Sequence, residues 1–218
     1  MADRKFTKKY VFTVEGETEQ WYLYWLRDQI NSCAHAAYRI QITAPVQQNP
    51  WSYAKTVSAK TTPKITHLCD RESNDREHVQ KFEGVLASLS RARKEKRISC
   101  ALGYSNYSFE LWLILHKINC SGPLTSRAQY LSRINQAFGE RFESMDKYKE
   151  EENFKRCLKK LTLEEVRDAI RRARAIMAQN QADGKRELEY GGFRYYPDNP
   201  SLTVQDAVEE ILRDCKLL

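Results

Sequence analysis

The order of the apolar runs constrains this chain more than any other feature. Four short runs rich in β-branched and aromatic residues read as strands: 10–14 (YVFTV), 38–43 (YRIQIT), 64–69 (KITHLC) and 97–102 (RISCAL). Between them lie segments whose apolar residues recur at helical spacing. Residues 18–31 place Tyr22, Leu23, Leu26 and Ile30 on one face, and residues 74–94 do the same with Val79, Phe82, Val85, Leu86 and Leu89. A third helix is predicted over 51–60, after the breaks at Pro45 and Asn49-Pro50. Strands alternating with helices predict an α/β fold: an open, mostly parallel sheet flanked by helices. Ligands of such sheets bind outside the carboxyl ends of the strands.

Beyond Gly103 the alternation stops. Helices are predicted over 108–119, 126–138, 154–161, 162–182 and 203–216, with a loop from Gly191-Gly192 to Pro200. Thr162 with Glu165 forms a capping-box pattern. The reading is therefore an α/β core over 1–120 and a mainly helical C-terminal region over 121–218 packed on it. A chain of 218 residues is long enough for both.

No run of about 18 apolar residues occurs, so no membrane span is expected. The N-terminal MADRKFTKKY has charge but no apolar stretch of a secretory signal. The expected location is cytoplasmic. Six cysteines at spacings unlike a zinc site read as small core residues, without disulfides. A net charge of +7 hints at a polyanionic partner without demanding one.

The acids stand out against this map. Glu15 follows the first strand in VEGETE; Asp70 and Glu72 follow the third in CDRES. If those strands are neighbours, the three carboxylates meet on one patch, and residues 70 and 72 of an extended segment point the same way. Mg²⁺, or Mn²⁺ in its place, suits such a set: it takes hard oxygen ligands and is held by one or two carboxylates plus substrate phosphate. Gly16 reads as a residue needing positive φ or close backbone approach. Acids after strands also start helices, and Glu17, Glu19, Asp75 and Glu77 read as helix-start charges only. Spacing alone leaves both readings of Glu15, Asp70 and Glu72 open.

The two acidic stretches together resemble the Toprim domain of topoisomerases, primases and related nucleases. SNYSFELWLILH (105–116) resembles the SNPxFExWLLLH signature of the RloB-like, AbiLii-type family, and DNPSLTVQDAVEEIL (198–212) resembles that family's C-terminal segment. The resemblance runs from Tyr10 to Leu212. It implies a Toprim-like core and a Mg²⁺-dependent nuclease acting on DNA or tRNA. It also implies a setting in bacterial antiphage defence, beside a partner ATPase. Glu15 would then act in proton transfer or metal binding, and Asp70 would be the first acid of an Asp-x-Asp motif. Glu72 departs from that motif with one extra methylene. Tyr107-Ser108 departs from the family's Pro-Cys, a change expected to matter little to chemistry. Glu110, in the signature near its helix start, is within reach of the site as a further catalytic acid. His116 reads as a packed histidine or one bonding a backbone carbonyl, ahead of a catalytic role.

Candidate nucleic-acid contacts are Arg71, Ser105 and Asn106 near the acids, Arg91, Arg93 and Lys94 in RARKEKR, and Arg171 in the later arginine cluster. Basic groups would supply phosphate affinity without sequence choice. The same helix surface also fits a solvated face paired with its own acids. Trp21, Tyr22, Tyr24 and Trp25 divide between core and a stacking or partner surface. Residues 189–196 are a candidate loop over the site. A homo-oligomer stays open. The rival reading is a non-catalytic subunit that binds nucleic acid or the ATPase.

Overall fold

The computed structural model describes residues 5–120 and 122–218. The reading of the first four residues and the division at 121 fall outside them. Four strands, β1 (Thr7–Val14), β2 (Arg39–Thr43), β3 (Lys64–Arg71) and β4 (Ser99–Asn106), form one sheet in the order β2-β1-β3-β4. Every pairing is parallel. The expected α/β architecture is therefore present, and β1 and β3 are neighbours. β1 reaches β2 on one side and β3 on the other, so the chain changes direction across the sheet there. That is the topological switch point, where a crevice opens at the carboxyl ends.

Alternation along β3 assigns the two faces. Leu68 joins the large core built with α1 (Glu17–Ser32), α4 (Glu110–Lys117), α5 (Arg127–Phe138), α7 (Glu151–Leu158), α8 (Leu163–Ala182) and α9 (Val204–Asp214). Ile65 and Cys69 face the opposite way, toward α2 (Pro50–Ala54) and α3 (Arg76–Lys96). A parallel sheet is buried on both faces, so β3 has scarcely a solvated residue. The first core runs without a break from β1 through α4 to α9, so the helical region and the sheet share it.

Three elements differ from expectation. The helix predicted over 51–60 ends at Ala54. Thr56 turns its hydroxyl onto the Tyr53 carbonyl at 2.8 Å, and the Ser58 carbonyl takes the amides of Thr61 and Thr62. Such hydroxyl bonds offer the backbone an alternative to the helix. A five-residue helix, α6 (Met145–Lys149), appears where none was expected, capped by Ser144 accepting from Lys147 N at 3.1 Å. The expected loop after 190 is instead part of a hairpin, β5 (Leu188–Tyr190) and β6 (Phe193–Tyr195). Gly191 and Gly192, with φ of 60° and 81°, make its two-residue turn. Phe193 and Tyr195 pack on Phe82 and Tyr104 against α3, so the hairpin covers the back of the sheet and not the acidic end.

Candidate active site

Glu15, Asp70, Glu72 and Glu110 do come together at the carboxyl ends of β1 and β3, lining or bordering a cleft of about 710 Å³. Each is placed by an element end. β1 stops at Val14, and Glu15 N still bonds the Leu68 carbonyl at 3.1 Å, which holds Glu15 against β3. Its Oε2 accepts from Asp70 N at 3.0 Å, and its Oε1 from Lys81 Nζ on α3 at 2.6 Å. The same ammonium reaches Glu72 Oε1 at 2.9 Å, so Lys81 ties Glu15 to Glu72. Burial pulls the Lys81 pKa down, but the two carboxylates more than offset this and raise it. Glu72, bonded by Lys81 and 3.3 Å from His78 Nε2, is held below the usual carboxylate range.

Asp70 is the least satisfied of the set. Its Oδ1 is buried and has no hydrogen-bond partner. Burial, then the charges of Glu19, Glu15 and Glu110, push its pKa well up, with Lys149 opposing. Glu110 opens α4 fully buried, accepts from Ser108 Oγ and lies 3.3 Å from Lys149 Nζ. That last contact is an ion pair rather than a directed hydrogen bond, since Glu110 Oε1 has no hydrogen-bond donor.

Glu19 was read as a helix-start charge, and the structure corrects this. It is 4% exposed and points into the cleft, where Thr18 Oγ1 donates to its Oε2 at 3.0 Å. Burial, with the Glu110 charge adding to it, raises its pKa to about 7 against the pull of its own backbone hydrogen bond. The signal was in the sequence. Glu19 recurs with Tyr22, Leu23, Leu26 and Ile30 on the buried face of α1, whereas a solvated cap would sit on the other face. Glu19 also explains Gly16. That residue has an extended backbone, φ −140°, which any residue adopts; positive φ is not the reason for it. A Cβ there would stand 3.1 Å from Glu19 Oε2, so the glycine makes room for the carboxylate. Lys149 was missed too, because its helix is five residues long and shows no periodicity.

Tyr107 has φ of 68°, a left-handed conformation that costs a bulky residue roughly 1–2 kcal/mol. Proline, fixed near −65°, cannot adopt it. A proline at this position would therefore require a different backbone at the turn that lines the cleft.

The expected nucleic-acid contacts fall into two groups, and of all of them only Ser105, the register partner of Asp70 across β3 and β4, shares the sheet face of that acid. Arg71, Ser105 and Asn106 are near them but buried. The Arg71 guanidinium donates to the Pro197 carbonyl at 2.9 Å and to Asn74 Oδ1 at 2.5 Å. Asn106 Nδ2 donates to the carbonyls of Tyr196 and Asp198 at 3.0 and 2.7 Å. Arg71 and Asn106 thus fasten the segment 196–201 to the sheet, while the buried Ser105 Oγ has no hydrogen-bond partner. Arg91, Arg93 and Lys94 are exposed, but they lie at the far end of α3, roughly 15–20 Å along the helix from Lys81. Arg91 stacks on Trp51 and Arg93 on Phe193. Arg171 is exposed on α8 and paired with Asp168 at 2.8 Å. The basic groups that do border the cleft are Lys81, Lys149, Arg127 and His78. His116 is a core residue, as read: Nδ1 is 2.8 Å from the Trp112 carbonyl, Nε2 is 3.1 Å from Tyr22 Oη, and burial lowers its pKa to about 4.

Among the described residues, no three His, Cys, Asp or Glu side chains are already gathered as a metal-binding cluster. No helix among them is long and apolar enough to cross a membrane.

The fold and this cleft define a class: an open parallel α/β protein with a knot of carboxylates at its switch point. Residues 10–211 match the model of the RloB-like protein family, nearly the whole chain, and the chain belongs to that family. No curated protein and no solved structure matches it significantly.

Proposed function

We propose that this protein is a Mg²⁺- or Mn²⁺-dependent nuclease of the Toprim type, hydrolysing phosphodiester bonds of DNA or tRNA. In this reading it is a cytoplasmic effector of antiphage defence, kept silent by a partner ATPase. One observation supports the proposal: five carboxylates line or border one cleft at the switch point beside two ammonium groups, with Asp70 Oδ1 buried and bare. Such a set wants a cation or protons. Its oxygens suit Mg²⁺, which needs only one or two carboxylates beside water and phosphate. Glu15, Glu19 and Asp70 would be the residues to hold it, drawn together by the ion, since they are not gathered as a cluster without it. The ion would neutralise and polarise the phosphoryl group.

The other roles follow from position. Glu19, with a pKa of about 7, gives up its proton near neutrality when an ion takes its place, so metal binding there would release a proton. Lys149, whose pKa burial lowers but the charges of Glu110, Asp70 and Glu19 raise overall, keeps a positive charge at the cleft where a phosphate would bind. Glu110 fixes Lys149 in place. Glu72 is the outermost acid, and with Lys81 it limits how far Glu15 can swing.

The test is cleavage of plasmid DNA and of total tRNA with Mg²⁺, Mn²⁺ or chelator, beside Glu15→Gln and Asp70→Asn. Metal-dependent cutting lost in both variants is expected. Cutting that persists in chelator or in either variant overturns the assignment.

The second reading is a non-catalytic subunit that binds nucleic acid or the ATPase. The Lys81 bridge favours it, because an internal cation already satisfies Glu15 and Glu72. Thermal melting separates the two. A site that binds metal only in the folded state raises the melting temperature with added Mn²⁺, whereas a relic leaves it unchanged.

A further inference from the structure

We propose that Tyr107 is a stacking platform for one unpaired nucleobase of the substrate, which makes single-stranded nucleic acid the preferred class. This rests on the nuclease reading of the neighbouring acids. Tyr107 sits between β4 and α4, partly exposed, and lines the same cleft as Glu15, Asp70 and Glu72. Its ring lies parallel to that of Tyr130, with 5.0 Å between centroids and 9° between planes. Tyr130 is fully buried, and its hydroxyl donates to the Asn106 carbonyl at 3.3 Å, so it backs Tyr107 firmly. The backbone is pinned as well, with Tyr107 N donating to the Arg71 carbonyl at 2.7 Å.

A tyrosine in a left-handed turn is a poor local choice where asparagine or glycine would be easier. Such strain gathers at ligand sites. What the turn achieves is placement: one ring face is covered by Tyr130, and the partly exposed ring lines the cleft with the acids. An aromatic face accepts any base, so stacking there selects for an unpaired base and not for sequence. A base within a duplex is already stacked and paired, and would have to leave the helix first.

The experiment is equilibrium binding of fluorescently labelled oligothymidylate, its abasic counterpart, oligouridylate and a DNA duplex. Ca²⁺ replaces Mg²⁺ to prevent cutting. Tyr107→Gly removes the ring and suits the φ of 68°, so the turn should keep its shape. Tyr107→Phe keeps the ring. Tyr107→Gly is expected to weaken oligothymidylate binding about ten-fold, with Tyr107→Phe unchanged within about two-fold. The abasic probe should bind the wild type as weakly as oligothymidylate binds Tyr107→Gly. The ratio of oligothymidylate to oligouridylate affinity tells DNA from RNA. Equal binding of base-bearing and abasic probes, or no loss in Tyr107→Gly, overturns the stacking role while leaving the nuclease reading intact. No binding of any probe by the wild type overturns both.

Discussion

The two ends of the sheet treat charge in opposite ways. At the amino end, Lys8 lies 3.1 Å from Asp214, Tyr10 Oη donates to the same carboxylate at 2.7 Å, and Lys64 pairs with Glu210. These are opposite charges at the surface, each group with a partner. At the carboxyl end, Glu15, Glu19, Asp70, Glu72 and Glu110 are drawn together, and two of them are raised in pKa by burial and by one another. The first arrangement is what a chain adopts to be soluble and folded. At Asp70 and Glu19 the second opposes folding, because Lys149 offsets only part of their burial and mutual repulsion, and a cation, a proton or a substrate relieves the rest. Stability is given up where the fold places ligands, and nowhere comparable at the other end.

The largest effect should come from Asp70. Asp70→Asn removes the charge most opposed by its surroundings, so the metal-free protein should gain stability while any cleavage falls by about a hundred- to a thousand-fold, as loss of a central electrostatic group does. Melting temperature and cutting rate, measured on one preparation, check the two halves. A variant that is inactive and also less stable would mean that the carboxylate is structural.

Glu19 gives a pH signature. Its pKa is raised from 4.5 to about 7 on folding, so the protonated form is the one the fold prefers. The stability tied to it is complete below about pH 4.5 and is lost as pH rises toward 7 and beyond. The metal-free protein should therefore melt lower at pH 8 than at pH 5.5. Glu19→Gln should reduce that slope, to which Asp70 also contributes, and stabilise the protein at pH 8 by on the order of 3 kcal/mol. Saturating Mn²⁺ should flatten it too. A melting curve that rises from pH 5.5 to 8 in the wild type would refute the assignment.

How far the sequence announced all this differs between the parts. The sheet was legible because short runs of β-branched and aromatic residues alternating with helical patterns need no tertiary knowledge. Its ends were not: β1 begins three residues earlier than the apolar run, at Thr7-Lys8-Lys9, because those residues are fixed by pairing with β2 and not by their own burial. Glu15, Asp70 and Glu72 were legible as acids at strand ends. Glu19 was not, since a helix-start charge and a cleft residue look alike until the buried face of α1 is counted. Lys149 depends on a five-residue helix brought over from the C-terminal region, and no local pattern encodes that approach. Arg91, Arg93 and Lys94 show the converse. A basic run advertises phosphate binding wherever it falls, and only the direction of α3 shows that it ends away from the acids.

Lys81 is the intermediate case, since it is exposed yet sits between two acids. Lys81→Met leaves Glu15 and Glu72 without their shared counter-charge. The metal-free protein should melt a few degrees lower, and the upward shift produced by Mn²⁺ should grow, because the ion no longer competes with an ammonium group. Melting with and without Mn²⁺ measures both. A smaller Mn²⁺ shift in the variant would make Lys81 a helper of the metal and not its rival.

The smallest effect should come from the amino end, and it is needed to give the others meaning. Lys64 and Glu210 are each more than a third exposed, and so are Lys8 and Asp214. Exposed pairs of this kind contribute about 0–1 kcal/mol, because solvent screens them and ordering two long side chains costs entropy. Lys64→Ala should lower the melting temperature by a degree or two and become silent at high salt, where the Debye length shrinks to about 3 Å at 1 M. Metal response and cleavage should not change. If Lys64→Ala altered either, the two ends of the sheet would be coupled through β3, and the contrast between a folding end and a ligand end would have to be given up.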